Sequence, residues 1–428
     1  MRAAGPSAFE SFGLNHCLQG DGLAFNAMKI SSACRFILAS LSALFIILSS
    51  LSAAAQNKLA DADNGFAFDL LKQIAKEQPG KNIFISPFSA ASALQMVANG
   101  AAGKTLTEMQ DVLNTTGIEQ ADLNRDCKAL NQSLAAQTNV ILELANGIWY
   151  QNGFRLKPGF VLENQKFFGA VLAPVDFLSP DSAKAINDWA DTKTHGKIQN
   201  VVSFPFESPP KLILANAIYF KGKWEDPFDK SLTLPRDFHL PDGNINNVPM
   251  MAKHKSFEYQ EGDGFQAVEL PYAGGQLQMI LFLPATNSNP QQLIGNFSGK
   301  TWRDNVLSSF SRCEGSLVFP KFKLDYDVIL NDPLKAMGMQ GAFSGDADFS
   351  MMADQPLFIG EVKQKSYVAV DEEGTEAAAV TTINMFGAAM ERPLKSFEMI
   401  VDRPFLFVIT DTQSQAILFM GIVNDPAQ

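Results

Sequence analysis

The sequence predicts an α+β fold in one large domain, because helical and strand patterns both recur along it without an internal repeat. Apolar residues over 67–74 recur at helical spacing, and Pro79-Gly80 ends that helix. Short apolar runs bounded by proline and glycine, typical of strands, follow through the middle of the chain. Two apolar runs, Phe405–Thr410 and Ala416–Val423, flank a polar turn and predict a buried C-terminal hairpin.

The composition excludes several classes of function. The chain has 428 residues, of which 46% are hydrophobic, enough for a large core in one big domain or two small ones. Its net charge is -11 and it has no long basic run, so we expect no nucleic acid or anionic membrane partner. Nucleophile, zinc-protease and phosphate-loop motifs are absent, as is metal-ligand spacing. We therefore expect a protein that is not an enzyme and holds no metal or other cofactor.

The N-terminal region has the pattern of a targeting segment. Residues 1–27 show no periodicity, and we interpret them as an extension that is not part of the native protein. Residues 28–55 combine basic Lys29 and Arg35 with an apolar run over 36–51, which predicts a signal peptide. A membrane anchor is the alternative, but the run is short for a span and rich in serine.

Cleavage of that segment is predicted near Ala55-Gln56, after small residues. We expect a secreted protein, extracellular or periplasmic, with no membrane attachment once the signal is removed. Residues 56–428 then form a single domain. Cys127 and Cys313 lie within it and could pair in an exported protein, although a core of this size does not need a disulfide.

The remaining elements follow in chain order. Asn82–Ser89 predicts a short strand entering a helix that continues over Ala90–Asn99. Further strands are predicted at Leu144–Tyr150, Val248–Met251, Val268–Tyr272 and Met279–Pro284.

The stretch from Asp371 to Thr382 differs from an ordinary surface loop. Lys363–Asp371 alternates like a strand, and Gly374 breaks that pattern. Small and β-branched residues follow, with no proline and one charge, Glu376. By composition, the stretch could slot between two strands or form an alanine helix over Glu372–Ala379.

One family resembles this stretch closely. The run Glu372-Glu373-Gly374-Thr375-Glu376-Ala377-Ala378-Ala379 is similar to the reactive-loop hinge of serpins, whose loop inserts into a β-sheet. Further serpin-like motifs recur in order at Asn82–Ser89, Asn216–Trp224, Asp402–Phe405 and Phe419–Gly421. The resemblance also implies strands at Leu212–Trp224 and Val318–Phe322 and a short helix at Leu334–Gly338. The resemblance covers nearly all of residues 56–428 and favours the strand over the helix.

The resemblance implies a fold and an opening region. Serpins have a large central, mostly antiparallel sheet, further sheets, about eight or nine helices and an exposed reactive loop, here 372–396. Ser86, Ser89 and Asn216 resemble the serpin residues beneath the opening of the main sheet, although N-capping also explains the serines. Trp224 resembles the aromatic at the top of the sheet, where the loop enters. Gln364 stands where many serpins carry His, so this cluster would lack a titrating group.

The resemblance also implies a mechanism and a partner. A serine protease would cleave the loop, and the hinge side would insert as a new strand while the protease stays covalently attached. The spacing from Gly374 common in serpins places the reactive bond at Ala388-Ala389, and alanine suits an elastase-like protease. Neighbouring candidates for the specificity residue are Met385, Phe386, Met390 and Arg392.

The rival hypothesis is a non-inhibitory serpin acting as carrier, chaperone or storage protein. Small residues after Gly374 favour the inhibitor, and Thr375 is expected near the surface before cleavage. Some serpins bind heparin through a basic helix. Arg125 and Lys128 are the only basic residues between Thr105 and Ile141, so we expect no heparin cofactor. We expect a monomer.

Overall fold

The computed structural model describes residues 58–137, 139–206, 208–375 and 394–428. Its helices are α1 (58–77), α2 (Pro87–Ala98), α3 (Gly103–Val112), α4 (Gln120–Ala135), α5 (Pro158–Phe168), α6 (Pro180–Lys193), α7 (Pro290–Gly295), α8 (Gly299–Thr301) and α9 (Asn331–Met337). A π-helical segment, Trp302–Val306, extends α8, and short 3₁₀ segments lie at Lys230–Leu232, Leu307–Ser309 and Gly341–Phe343. The predicted extension and signal segment, 1–55, lie outside the described residues.

The strands form two sheets. They are β1 (Ile83–Ile85), β2 (Val140–Gln151), β3 (Val171–Val175), β4 (Leu212–Lys223), β5 (Leu234–His239), β6 (Ile245–Gly262), β7 (Phe265–Pro271), β8 (Leu277–Pro284), β9 (Ser311–Pro320), β10 (Phe322–Ile329), β11 (Glu361–Asp371), β12 (Gly374–Thr375), β13 (Ser396–Ile400), β14 (Phe405–Asp411) and β15 (Ile417–Val423). The nine-stranded sheet has the order β1-β15-β14-β8-β7-β6-β9-β13, with β5 beside β6. The combination of these sheets with packed helices confirms the predicted α+β class.

The six-stranded sheet has the order β10-β11-β12-β4-β2-β3. Along most of their length, β11 and β4 pair directly with each other in parallel, from Glu361 opposite Ile213 to Tyr367 opposite Tyr219. Beyond Tyr367 and Tyr219, toward the C-terminal ends of both strands, β11 and β4 separate. The two residues of β12 lie between them there. The sheet is therefore forked, with β12 at the open end of the fork.

Both faces of β4 are covered, which explains its nearly continuous apolar sequence. On one face, here called the outer face, Ile186 and Ala190 of α6 pack on alternate residues such as Ala215. On the inner face, Leu214 and Ile218 join the main core. The alternation in β11, whose even-numbered residues are buried, sets the same two faces there.

The predicted core helix and the predicted hairpin are both present. Every residue of α2 is buried, and the helix begins at Ser86, whose side chain accepts a hydrogen bond from the Ser89 amide (3.3 Å). Strands β14 and β15 are buried throughout and pair antiparallel. Cys127 and Cys313 are buried free thiols, so they do not pair.

Strands β6 and β10 show where the sequence predictions fell short. Strand β6 continues far past the predicted Val248–Met251, and charged residues such as Lys253 and Glu258 had interrupted the apolar pattern there. Strand β10 was missed beyond its first residue, Phe322. Its sequence alternates apolar residues with Lys323, Asp325 and Asp327, which lie on the exposed side, and that period of two was the available signal.

The described residues were compared with the requirements for a membrane-spanning helix and for a metal site. No helix among them is both long and apolar enough to cross a membrane. No group of three or more His, Cys, Asp or Glu side chains within the same ranges is placed to hold a metal ion.

Candidate functional site

The predicted hinge, 372–379, begins inside the six-stranded sheet. Glu372 and Glu373 make the turn between β11 and β12, and Gly374 and Thr375 then run antiparallel to both β11 and β4. Gly374 has φ +146°, and a Cβ there would lie 2.2 Å from the carbonyl oxygen of Gly222. Only glycine fits this close approach between backbones.

Thr375 is fully buried, with 0% of its surface exposed. The prediction that it lies near the surface before cleavage is therefore wrong. Thr375 is opposite Val370 on β11, and this register turns its side chain toward the inner face with that of Val370. Its Oγ1 shares a hydrogen bond with Oη of Tyr272 (2.7 Å). Burial raises the pKa of Tyr272, so the hydroxyl stays protonated.

Trp224 supports the turn that carries the hinge. Its indole Nε1 donates to the carbonyl of Asp371 (2.9 Å), and its backbone N–H donates to the carbonyl of Glu373 (2.9 Å). Its ring stacks on Tyr272 with centroids 4.7 Å apart. Trp224 therefore contacts the turn directly and the hinge threonine through Tyr272.

The two turn glutamates are held by cations on neighbouring segments. Lys321 Nζ lies 2.8 Å from Oε2 of Glu372, and Thr233 Oγ1 donates to its Oε1 (2.8 Å). Burial alone would raise the pKa of Glu372, but the hydrogen bonds from Lys321 and Thr233 outweigh it, so that pKa lies below its usual range. Glu373 pairs with Lys230. The turn is thus fixed through side chains as well as backbone.

The residues predicted at the sheet opening lie together beneath the fork. Gln364 Nε2 donates to the carbonyl of Ser86 (2.9 Å) and to Oδ1 of Asn216 (3.0 Å), and the Ser86 amide donates to Gln364 Oε1 (2.8 Å). Asn216 in turn donates to Ser89 Oγ. All four residues are buried. They link α2 to β11 and β4, and none of them titrates near neutral pH.

Part of the predicted site lies outside the described residues. This part comprises the later hinge residues Glu376, Ala377, Ala378 and Ala379, the predicted reactive bond Ala388-Ala389, and the alternatives Met385, Phe386, Met390 and Arg392.

Sequence reasoning missed the residues that hold the hinge from other segments. Tyr272 was the last residue of a predicted strand, Val268–Tyr272, and carried no signal for a role at the hinge. Lys321 did carry one, because it is the one charge within the predicted strand Val318–Phe322. A charge in such a position usually has a specific partner.

This sequence is similar to that of known protease inhibitors. The family model described as Serpin (serine protease inhibitor) matches residues 61–426. The leukocyte elastase inhibitor of Sus scrofa is 37% identical over 382 residues, covering 86% of this chain and 100% of that protein. The leukocyte elastase inhibitor of Homo sapiens is 34% identical over 382 residues, with the same coverage.

A solved structure shares the fold. The thermophilic serpin tengpin in its native state superposes with a TM-score of 0.78 at 29% sequence identity. The match covers 86% of this chain and 94% of tengpin. The predicted serpin fold is therefore confirmed.

The prediction that this protein is exported is wrong. The family model begins at residue 61, and the two leukocyte elastase inhibitors are matched over 100% of their own length by 86% of this chain. These relatives have no counterpart of the segment 28–55 from which an extracellular or periplasmic location was predicted. That prediction rested on composition, basic residues followed by a short apolar run, and such a pattern does not by itself establish export.

The family model spans most of the chain, two relatives exceed 30% identity, and the fold agrees. The chain belongs to the serpin family of serine protease inhibitors.

Proposed function

We propose that this chain inhibits a serine protease of elastase-like specificity by inserting its cleaved reactive loop, 372–396, between β11 and β4. Residues 56–428 act as one domain in this proposal. One observation carries it: the hinge residues Gly374 and Thr375 already pair with both strands at the open end of the fork. The names of the leukocyte elastase inhibitor relatives support the choice of protease class.

The register of β12 supports further insertion. Thr375 is opposite Val370 on β11 and Gly222 on β4, and each further residue would advance by one position down both strands. Residue 378 would then meet Tyr367 and Tyr219, the last directly paired residues of the two strands. Both ladders stay in step, so an inserted strand needs no register slip.

The same register selects which side chains would be buried. Positions with the parity of Thr375 would face the inner core, and they carry small or apolar residues, namely Ala377, Ala379, Thr381 and Ile383. Thr381 would arrive between Gln364 and Asn216, which are directly opposite each other. Its hydroxyl could replace their mutual hydrogen bond, so opening the cluster would leave no buried polar group unpaired.

The energy for the step would come from the new strand. Each inserted residue contributes on the order of 1 kcal/mol of net hydrogen bonding, with apolar burial in addition. Over about ten residues this total is comparable with the stability of an ordinary domain. The uninserted fold would therefore be a kinetically trapped state.

The chemistry itself belongs to the protease. Its serine oxygen attacks the carbonyl carbon of Ala388, the bond to the Ala389 nitrogen breaks, and that nitrogen leaves as an amine after taking a proton. The Ala388 carbonyl remains as an ester on the protease. Insertion of the hinge side would then move the tethered protease and distort its oxyanion hole before water hydrolyses the ester.

Incubation with elastase-like and trypsin-like serine proteases tests the proposal. We expect a covalent complex on a denaturing gel with elastase-like proteases, and a released C-terminal peptide that begins at Ala389 by mass spectrometry. A peptide beginning at Pro393 would make Arg392 the specificity residue and overturn the elastase assignment. Cleavage without any complex would favour the non-inhibitory carrier, chaperone or storage function.

A further inference from the structure

Four asparagine residues, Asn64, Asn99, Asn146 and Asn152, are each followed directly by glycine. Asparagine before glycine is chemically labile, because the glycine nitrogen can attack the carbonyl carbon of the asparagine side chain and no glycine side chain obstructs the approach. The attack requires an asparagine side chain and a backbone that are free to rotate toward each other. The surroundings of each site in the fold therefore decide which of the four can react.

Asn64 is held both by its side chain and by its helix. It lies within α1, with 1% of its surface exposed. Its Nδ2 donates to the carbonyl of Gln415 (2.9 Å), and its Oδ1 accepts from the Ile417 amide (2.8 Å). Both ends of the side-chain amide are thus bonded, and the helical hydrogen bonds fix the backbone around it.

Asn99 and Asn146 are held as well. Asn99 Oδ1 accepts from Asn124 Nδ2 (2.9 Å), and Asn146 Oδ1 accepts from Asn216 Nδ2 (2.5 Å). The glycine after Asn99 donates its N–H to a backbone carbonyl (2.8 Å), and the glycine after Asn146 is paired with strands on both sides. Reaction at either site first requires these contacts to break.

Asn152 lies in a different setting, the exposed turn that follows β2. Neither its side chain nor the N–H of Gly153 has a hydrogen bond to any residue that the structure describes. Gly153 has φ +95°, and a Cβ there would have no neighbour within 4 Å. The turn is closed by a long hydrogen bond from the Phe154 amide to the carbonyl of Gln151 (3.3 Å). Asn152 and Gly153 are therefore the pair that can approach each other with least disruption.

We propose that Asn152 is a site of spontaneous deamidation, with water as the co-reactant. The Gly153 nitrogen bonds to Cγ of Asn152 and gives up its proton, and the side-chain nitrogen leaves with a proton as ammonia, which produces a cyclic imide. Water then opens the ring. Attack on Cγ restores the ordinary main chain with an aspartate, and attack on the main-chain carbonyl carbon leaves the chain running through Cγ as isoaspartate. One water is consumed for each ammonia released, and nothing is oxidised or reduced.

The products should loosen the end of β3. The Asn152 N–H donates to the carbonyl of Val175, the last residue of β3 (2.8 Å), and Gln151 Nε2 lies 3.4 Å from a carboxylate oxygen of Asp176. Either product adds a second carboxylate to this turn, where like charges repel. Isoaspartate also lengthens the main chain at the hydrogen bond to Val175. Strand β3 is at the edge of its sheet, so β2 is the neighbour that holds it.

The test follows all four asparagines by peptide mass mapping, in the folded full-length protein and in a denatured sample, both incubated at mildly alkaline pH. In the denatured sample the four sites should convert at similar rates. In the folded protein we expect Asn152 to convert about ten-fold or more faster than each of the others, because those must first break hydrogen bonds. Equal rates at the four sites of the folded protein would overturn the proposal. Retention of Asn152 in the fold, while the denatured sample converts, would overturn it too.

Asn152→Gln is the matched variant, because it keeps an amide whose longer side chain cyclises onto the glycine nitrogen far more slowly. After incubation, the unmodified protein should show faster amide hydrogen exchange across Val171–Val175 than before, and the variant should not. The variant should also release less ammonia than the unmodified protein. Equal release from the two proteins would place the reaction elsewhere in the chain. Exchange that accelerates equally in both would show that deamidation of Asn152 does not loosen β3.

Discussion

Thr375 and Tyr272 share a hydrogen bond inside the protein, with Oγ1 and Oη 2.7 Å apart and both residues fully buried. Gly374 and Thr375, which we propose as the start of the hinge, are therefore already paired with the sheet in the uncleaved protein. Insertion would extend a short strand that already exists, which avoids the entropic cost of starting one.

The first prediction concerns this hydrogen bond. Tyr272→Phe leaves Thr375 Oγ1 buried without a partner, which costs about 1–3 kcal/mol. We expect the docked hinge to open more often, seen as faster amide hydrogen exchange at Gly374 and Thr375. Tyr326→Phe is the matched control, because that hydroxyl donates to Gln78 (3.1 Å) away from the hinge. The control should change unfolding without changing exchange at Thr375. Unchanged exchange in Tyr272→Phe would show that the hydroxyl does not hold the hinge.

The second prediction tests insertion beyond the docked residues. Thr375→Arg would also disrupt the uncleaved protein, since Thr375 is already buried, so the informative position lies further along. Ala379 would arrive between Ser366 and Ile218 on the inner face, according to the register of β12. An arginine there would bury a charge without a partner, at a cost of several kcal/mol or more.

We therefore expect Ala379→Arg to be cleaved at the same bond as a substrate, with little or no covalent complex on a denaturing gel. Ala379→Ser is the control, because a small hydroxyl beside Ser366 can be hydrogen-bonded, and it should still form the complex. Complex formation by Ala379→Arg at the unmodified rate would refute insertion through this hinge.

The sequence predicted those parts of the site that depend on neighbouring residues, and missed those that depend on contacts between residues far apart in the sequence. The strand before the hinge and the break at Gly374 are local patterns, and they were predicted. The Tyr272–Thr375 and Lys321–Glu372 contacts join residues separated by 103 and 51 positions in the sequence. They exist only because strand pairing brings these segments together. The burial of Thr375 was missed for the same reason, because it results from pairing with β11 and β4 and not from any local pattern in the sequence.

The third prediction concerns a buried acid away from the hinge. Asp63 is 3% exposed, and its Oδ1 accepts a hydrogen bond from Gln95 Nε2 (3.3 Å). Burial raises its pKa to about 8, and the hydrogen bond from Gln95 only partly opposes this. Between about pH 4 and pH 8, Asp63 is therefore ionised in the unfolded chain but still protonated in the folded protein. Stability consequently falls as the pH rises through that range.

Asp63→Asn should remove this contribution while keeping an oxygen for Gln95. We expect the variant to gain unfolding free energy relative to the unmodified protein as the pH rises, reaching on the order of 1–4 kcal/mol near pH 8. Unfolding midpoints measured for both proteins from pH 4 to pH 8 check this. Parallel curves would mean that Asp63 has an ordinary pKa in the fold.

The last prediction uses the absence of a titrating group at the sheet opening. Gln364 accepts from the Ser86 amide and donates to Asn216, and an imidazole in its place could do both only while neutral. Protonation would turn the accepting nitrogen into a donor facing the Ser86 N–H, and would bury a charge. The folded-state pKa of the introduced imidazole should therefore lie below about 6.5, and the closed sheet should lose stability as the pH falls through that value.

Insertion would offer the imidazolium a new acceptor, because the hydroxyl of Thr381 would arrive between positions 364 and 216. We therefore expect the rate at which Gln364→His incorporates a labelled synthetic peptide of residues 375–384 to rise as the pH falls from about 7 to about 5. The unmodified protein, with Gln364 in place, should show a flat profile over the same range. A flat profile in Gln364→His would mean that opening at this pair does not limit insertion. An equally steep profile in both proteins would place the titrating group elsewhere in the sheet.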